Sequence, residues 1–223
     1  MLVLLSGIVG STAYGLDTED SDIDRLGIFT YYTGQLHGLH YPKETLVTTN
    51  PDVTMHEARK FVKLALNVNP TVTELLWLTD YEKGSDFGRE LVYLRKDFLS
   101  KRRVRDAYLG YATQQFRRLQ SRGDGSFSSD TKKRTAKHAR HLARLLHQGR
   151  RLYSYGELEV KLKDPQWYHE FGEDIANGNL DRATQVLSWA EDDFNNIRSP
   201  LPDTPKEHKI DDWLLRLRRH FYL

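Results

Sequence analysis

Gly10-Ser11-Thr12-Ala13-Tyr14-Gly15-Leu16-Asp17-Thr18-Glu19-Asp20-Ser21-Asp22-Ile23-Asp24 is the stretch whose reading decides the fold. It is preceded by Leu2 to Val9, a run of Leu, Val and Ile that reads as a short buried strand ending at a glycine. The small residues from Gly10 to Gly15 read as a turn opening a helix, and the polar Asp17 to Ser21 as a loop. Ile23 to Tyr31 supplies apolar β-formers and reads as a second strand. Residues two apart on a strand share a face, so Asp22 and Asp24 are expected side by side at its start. Two carboxylates that close repel, and a divalent cation is what relieves them. Mg²⁺ takes carboxylate oxygens together with substrate phosphates, and a metal pair can activate a hydroxyl and hold a leaving pyrophosphate. Gly10 lets backbone approach a phosphate, and a helix starting at Ser11 would aim free N–H groups and a hydroxyl at it.

Working outward, Leu46 to Thr49 reads as a third strand, continued by Asp52 to Met55 after Pro51. From Glu57 the period becomes helical, with Ala58, Phe61, Ala65 and Val68 on one side and Lys60, Lys63 and Asn67 elsewhere. Thr54 and Glu57 have capping-box spacing at its start, and Asn69-Pro70 stops it. Thr71 to Leu78, Leu91 to Phe98, Val104 to Gln120, the basic Thr131 to Gln148 and the amphipathic Asp211 to Phe221 read as further helices. Ser121 to Asp130 reads as a linker, and Ser199-Pro200-Leu201-Pro202 as a break. The expected fold is therefore α+β. A small mixed-sheet domain, 1–80, is followed by a mostly helical substrate- and nucleotide-binding domain, 81–223.

Composition narrows the function classes. The 223 residues are 39% hydrophobic and 29% charged, which is globular and not disordered. The formal net charge of +2 alone does not argue for nucleic acid. The absence of cysteine excludes disulfide scaffolds, cysteine zinc sites and thiol nucleophiles, and it fits a cytoplasmic protein. Met1 to Leu5 is too short for a signal or a membrane span, and no membrane partner is expected. His37 and His40, with His56 further on, are better read as exposed or packing histidines than as a zinc site.

The Gly10-Ser11 turn followed by Ser21-Asp22-Ile23-Asp24 resembles the G-S-x(8–13)-S-D-x-D pattern of the DNA polymerase β-like nucleotidyltransferases. Asn69-Pro70-Thr71-Val72-Thr73-Glu74-Leu75-Leu76 and Lys137-His138-Ala139-Arg140-His141-Leu142-Ala143-Arg144-Leu145 resemble motifs of its RNA-repair-associated branch of bacteria and phages. Together these cover roughly residues 6 to 160. The resemblance implies a polymerase β palm-like nucleotidyltransferase domain using an NTP and Mg²⁺ (or Mn²⁺). One departure is that only nine residues precede Gly10. The superfamily places a third acid on a neighbouring strand as base or metal ligand. Asp52 is the choice here, with Glu57 in reserve.

No acidic residue occurs between Thr131 and Gly156. Lys137, His141 and Arg144 (i, i+4, i+7) share a helical stripe expected to face solvent or a cleft. Ala139, Leu142, Ala143 and Leu146 should pack inward. A solvated face normally mixes signs, so a single-sign stripe favours phosphate binding, from an NTP or a nucleic-acid backbone. Lys60, on the polar side of its helix, reads either as a further phosphate contact or as a solvated lysine. Glu74 is expected to bond locally, and the tryptophans to fill the core or, where one is exposed, to stack a base. The expected activity is metal-dependent transfer of NMP from an NTP to an acceptor hydroxyl, an RNA 3′ end above others. A protein or small-molecule hydroxyl, or a silent nucleotide- or RNA-binding module, are the rivals.

Overall fold

In a computed structural model the described residues are 1–19, 21–121 and 129–222. The chain packs as two compact units, Met1–Ser100 with Pro202–Leu223, and Lys101–Leu201. The division expected near residue 80 therefore falls inside the first unit. The reason lies in residues 81–100, which complete the sheet unit.

The first unit is a mixed five-stranded sheet with helices, an α+β arrangement. Strand β1 (Leu2–Val9) is followed by the short helix α1 (Gly10–Tyr14), β2 (Asp24–Thr30), β3 (Thr45–Thr49), β4 (Asp52–Glu57), α2 (Ala58–Leu66) and α3 (Pro70–Thr73). A 3-10 turn at Glu74–Trp77, the two-residue β5 (Lys83–Gly84) and α4 (Asp86–Tyr93) come next. The sheet order is β3-β4-β2-β1-β5, with only β2 and β4 parallel. Asp52 to Met55 does not prolong the third strand. The chain turns at Asn50-Pro51, Thr48 Oγ1 donates to the Pro51 carbonyl at 2.7 Å, and β4 runs back antiparallel to β3. β4 also extends to Glu57, so Thr54 lies within the strand and Glu57 is itself the helix cap, accepting from Arg59 N at 2.8 Å. Ser85 caps α4, and Gly88 sits so close under the Leu4 carbonyl that no Cβ could be accommodated.

The second unit holds α5 (Lys101–Gln120), α6 (Ser129–Tyr155), α7 (Pro165–Ala176) and α8 (Leu180–Asn196). Helix α6 is the central member. On one side Gly149 admits Tyr108 of α5, and His138 Nδ1 lies 2.9 Å from Gln115 Oε1. On another, Gly172 of α7 packs against the Ala136 carbonyl and the Arg140 stem. The expected linker at Ser121–Asp130 lies largely outside the described residues; residues 129 and 130 open α6.

After Pro202 the chain rejoins the first unit as α9 (Glu207–His220). Trp213, fully buried, donates its indole N–H to the Phe87 carbonyl at 3.1 Å. Arg216 pairs with Glu90, and Lys206 and Lys209 both pair with Asp97, holding its carboxyl below the usual range against the opposing effect of burial. Among the described residues no helix is long and apolar enough to cross a membrane.

Candidate active site

Gly10 follows β1 and opens α1 in the left-handed region, with φ at 71°. Val9, just before it, pairs with Asp24, the first residue of β2. The Asp24 carboxylate occupies the space a Cβ on residue 10 would need. Two independent constraints thus demand glycine here, the backbone angle and the carboxylate beside it. Ser11 follows in α1, half-buried, and Ser21 Oγ accepts from Thr18 N at 2.9 Å in the loop that returns to Asp24. Asp22 is exposed and precedes the strand, which starts one residue later than expected.

Asp52 opens β4. Arg25 of β2 pairs with Val53 of β4 in parallel, so Asp24 and Asp52, each one residue earlier, lie at the same end of adjacent strands. Such strands run about 4.8 Å apart. Among the described residues neither Asp22 nor Asp52 has an ion-pair partner. Arg25, the cation nearest in sequence, is held by Glu82 at 2.9 Å. No group of three acidic or histidine side chains among the described residues is gathered closely enough to hold a metal ion. The donor chemistry nevertheless fits Mg²⁺ or Mn²⁺. All three candidates are carboxylates, two are exposed and have no ion-pair partner among the described residues, and Asp24 and Asp52 share one sheet end.

Glu57 and Lys60 stand apart from that end. Glu57 is five residues further along β4, about 16 Å at strand spacing. It is fully buried, accepting from Arg218 Nη2 at 2.7 Å as well as from Arg59 N. Its partners make it a structural carboxylate. Lys60 neighbours His56, whose pKa is lowered by burial and by that ammonium. His56 is four residues along β4 from Asp52, and Lys60 lies in α2, beyond the end of the strand opposite to Asp52.

A contact invisible in the sequence joins two of its motifs. Tyr14, the last residue of α1, donates its hydroxyl to Glu74 Oε2 at 2.5 Å. Glu74 is only 2% exposed, and its partner is sixty positions away, not local. Asn69, by contrast, acts locally: its Oδ1 accepts from Thr71 N and Thr71 Oγ1, and Pro70 takes the first position of α3. The second motif is thus a capped turn that delivers a buried carboxylate.

The stripe on α6 differs from expectation. Lys137 is exposed and His141 half-buried, but Arg144 is 1% exposed. Arg144 lies on the packed side because α6 is covered by α5, α7 and α8, leaving a narrower free face than the sequence period implies. Its Nη1 donates to Gln148 Oε1 at 2.5 Å, and its Nη2 to His141 Nδ1 at 3.0 Å. A guanidinium has no acceptor, so His141 Nδ1 is the unprotonated nitrogen and Nε2 carries the hydrogen. Burial pushes the His141 pKa down to about 3, reinforced by Arg144, His138, Arg118 and Lys137. His141 is therefore a neutral N–H donor with cations around it. Sequence reasoning missed Arg118, which reaches this group from α5. Nor is the helix left without acids: Arg150 pairs with Asp193 at 2.7 Å and Arg151 with Glu159 at 3.2 Å, both contributed by later segments. Of the tryptophans, Trp189 is 64% exposed while Trp213 and Trp77 are buried.

A left-handed glycine-serine turn is laid against the first aspartate of the next strand, at one end of a mixed sheet, and this is where the motif shared with polymerase β-like nucleotidyltransferases falls. Comparison with protein families agrees, and the chain belongs to the RNA repair pathway DNA polymerase beta family, RlaP, which it matches over residues 1–167. That match contains the aspartates, the Asn69-Pro70 turn and α6, and stops inside α7. No curated protein matches the chain.

Proposed function

We propose that this chain is a metal-dependent nucleotidyltransferase that moves NMP from an NTP to the hydroxyl of an RNA 3′ end. The observation that carries the reading is the Asp24 carboxylate seated on left-handed Gly10, with Asp52 at the same end of the sheet. Asp22, Asp24 and Asp52 would hold Mg²⁺ or Mn²⁺, which when bound neutralises phosphate charge and acidifies the attacking hydroxyl. Gly10 and Ser11 take the triphosphate through backbone N–H and hydroxyl groups. Lys137 and the Nε2–H of His141 contact phosphates, and Arg144 acts through His141 by fixing its tautomer. The acceptor oxygen attacks the α-phosphorus, its proton passes to the Asp52 carboxylate, the bond to the bridging oxygen breaks, and pyrophosphate leaves. Family membership supports RNA as the acceptor over a protein or small-molecule hydroxyl.

The test is incubation of the full chain with Mg²⁺, α-labelled NTPs and RNA, DNA or protein acceptors. Label should appear on RNA, and Asp22→Ala/Asp24→Ala should remove it. Label on protein alone would replace the acceptor, and transfer undiminished in the double variant would end the proposal.

A further inference from the structure

The short helix α1 cannot hold its own orientation. Five residues provide barely one hydrogen-bonded turn, too little for a stable helix by itself. Both of its ends are left-handed glycines, Gly10 at φ 71° and Gly15 at φ 72°, where the chain changes direction. Within it Leu16 N donates to the Ser11 carbonyl at 2.9 Å and Gly15 N to Thr12 at 3.2 Å, so Ser11 and Tyr14 move as one piece. Tyr14 is buried and is one helical turn from Ser11. Its hydroxyl ends on Glu74, which is itself immobilised. Glu74 is buried, opens the turn Glu74–Trp77, and follows the Asn69-capped α3 directly, with Leu75 and Leu76 fully buried after it.

We infer that Tyr14 and Glu74 are positioning residues that fix the Gly10-Ser11 turn at the angle needed to receive the nucleotide's phosphates. This deepens the function proposed above and rests on it. Neither side chain touches the reacting atoms. The phenol–carboxylate bond couples the capped Asn69-Pro70-Thr71 turn to the orientation of α1, and through it to the Ser11 hydroxyl and the N–H groups beside Asp24. A hydrogen bond between two buried polar side chains is costly to leave unmade, so it can bias the orientation of a segment this short.

The experiment compares the full chain with Tyr14→Phe and Glu74→Gln. Three readouts are taken: equilibrium binding of an NTP analogue with a non-cleavable α,β bond in Mg²⁺, kcat and KM for NTP and for RNA, and the melting temperature. Tyr14→Phe keeps the buried ring and loses the bond. It should weaken analogue binding and raise KM for NTP by about tenfold, leaving KM for RNA and the melting temperature near wild type. Glu74→Gln retains a carbonyl acceptor for the phenol and should keep most of the affinity. Wild-type affinity in Tyr14→Phe would overturn the inference. So would losses matched by a proportionate fall in melting temperature, or an analogue that the wild type does not bind. Weaker analogue binding in Tyr14→Phe, with no transfer by any form, would instead leave the inference standing and sink the proposed reaction.

Discussion

Replacing Arg218 by Ala should unfold the sheet unit far more readily than an ordinary surface truncation. Arg218 comes from α9, yet its guanidinium lies against the end of the sheet. Nη2 donates to Glu57 Oε1 at 2.7 Å, and Nη1 to Thr30 Oγ1 at 2.8 Å. The Glu57 side chain is fully buried and that of Arg218 15% exposed, so solvent screens the pair little. Removing the cation leaves a buried carboxylate to which Arg59 N still donates. Deleting one partner of such a pair costs about 3–5 kcal/mol, mostly as the penalty on the charge left behind. For a unit of this size that is a fall in melting temperature on the order of 10 °C. Urea unfolding followed by tryptophan fluorescence reads it directly, since Trp213 on the same helix is buried in the native state. Adding Glu57→Gln to Arg218→Ala should recover about 1–3 kcal/mol, because a neutral amide no longer needs the cation. An Arg218→Ala protein within about 1 kcal/mol of wild type, or strictly additive losses in the double variant, would refute the reasoning.

Three further outcomes follow from geometry. Gly10→Ala places a Cβ at φ 71° and into the Asp24 carboxylate, and should cost about 1–3 kcal/mol in thermal melts and abolish transfer; full activity would contradict the site. His141, with its pKa pushed down to about 3, should show neutral-imidazole chemical shifts by NMR from pH 8 to pH 5. The unfolded chain takes that proton near pH 6.5 and the native state refuses it, so stability falls from pH 6.5 toward 3, and His141→Gln should flatten the slope; a native midpoint above pH 6 would refute it. Gly149→Ala must push its Cβ to 2.5 Å from that of Tyr108 and should lose about 1–3 kcal/mol by denaturation, whereas Gly110→Ala in α5, with nothing within 4 Å, should gain about 0.5–1 kcal/mol.

What the sequence disclosed was what short range and strict spacing control. The β1–turn–β2 succession and the aspartates were legible because period-2 apolar runs and a glycine at a sharp turn are local signals. Asp52 was legible only as a carboxylate ahead of a helix; its place beside Asp24 depends on the parallel register of β2 and β4, which no local pattern encodes. Glu57 illustrates the opposite failure. Its capping-box spacing is real, but the strand runs to Glu57 and not only to Met55, and the residue caps the helix itself and meets an arginine 161 positions later. Arg144 was assigned to a free face because helical period treats two faces as alternatives, whereas α6 is packed from several sides. The acids that neutralise its basic end, Asp193 and Glu159, arrive from segments beyond the helix, where a local charge count cannot see them.

The return of α9 to the first unit has a consequence for how the protein is made. The family match ends at residue 167, but the unit that holds the sheet also includes Pro202–Leu223, with α9. During synthesis β1 to β4 leave the ribosome early, with Glu57 lacking its arginine, and the whole of Lys101–Leu201 is made before Arg218 arrives. The sheet unit is thus completed last, and the Glu57 carboxylate waits for Arg218 through the synthesis of an entire helical insert. A stop codon between residues 168 and 201 would leave every motif residue in place and still deprive Glu57 of Arg218 and Phe87 of Trp213.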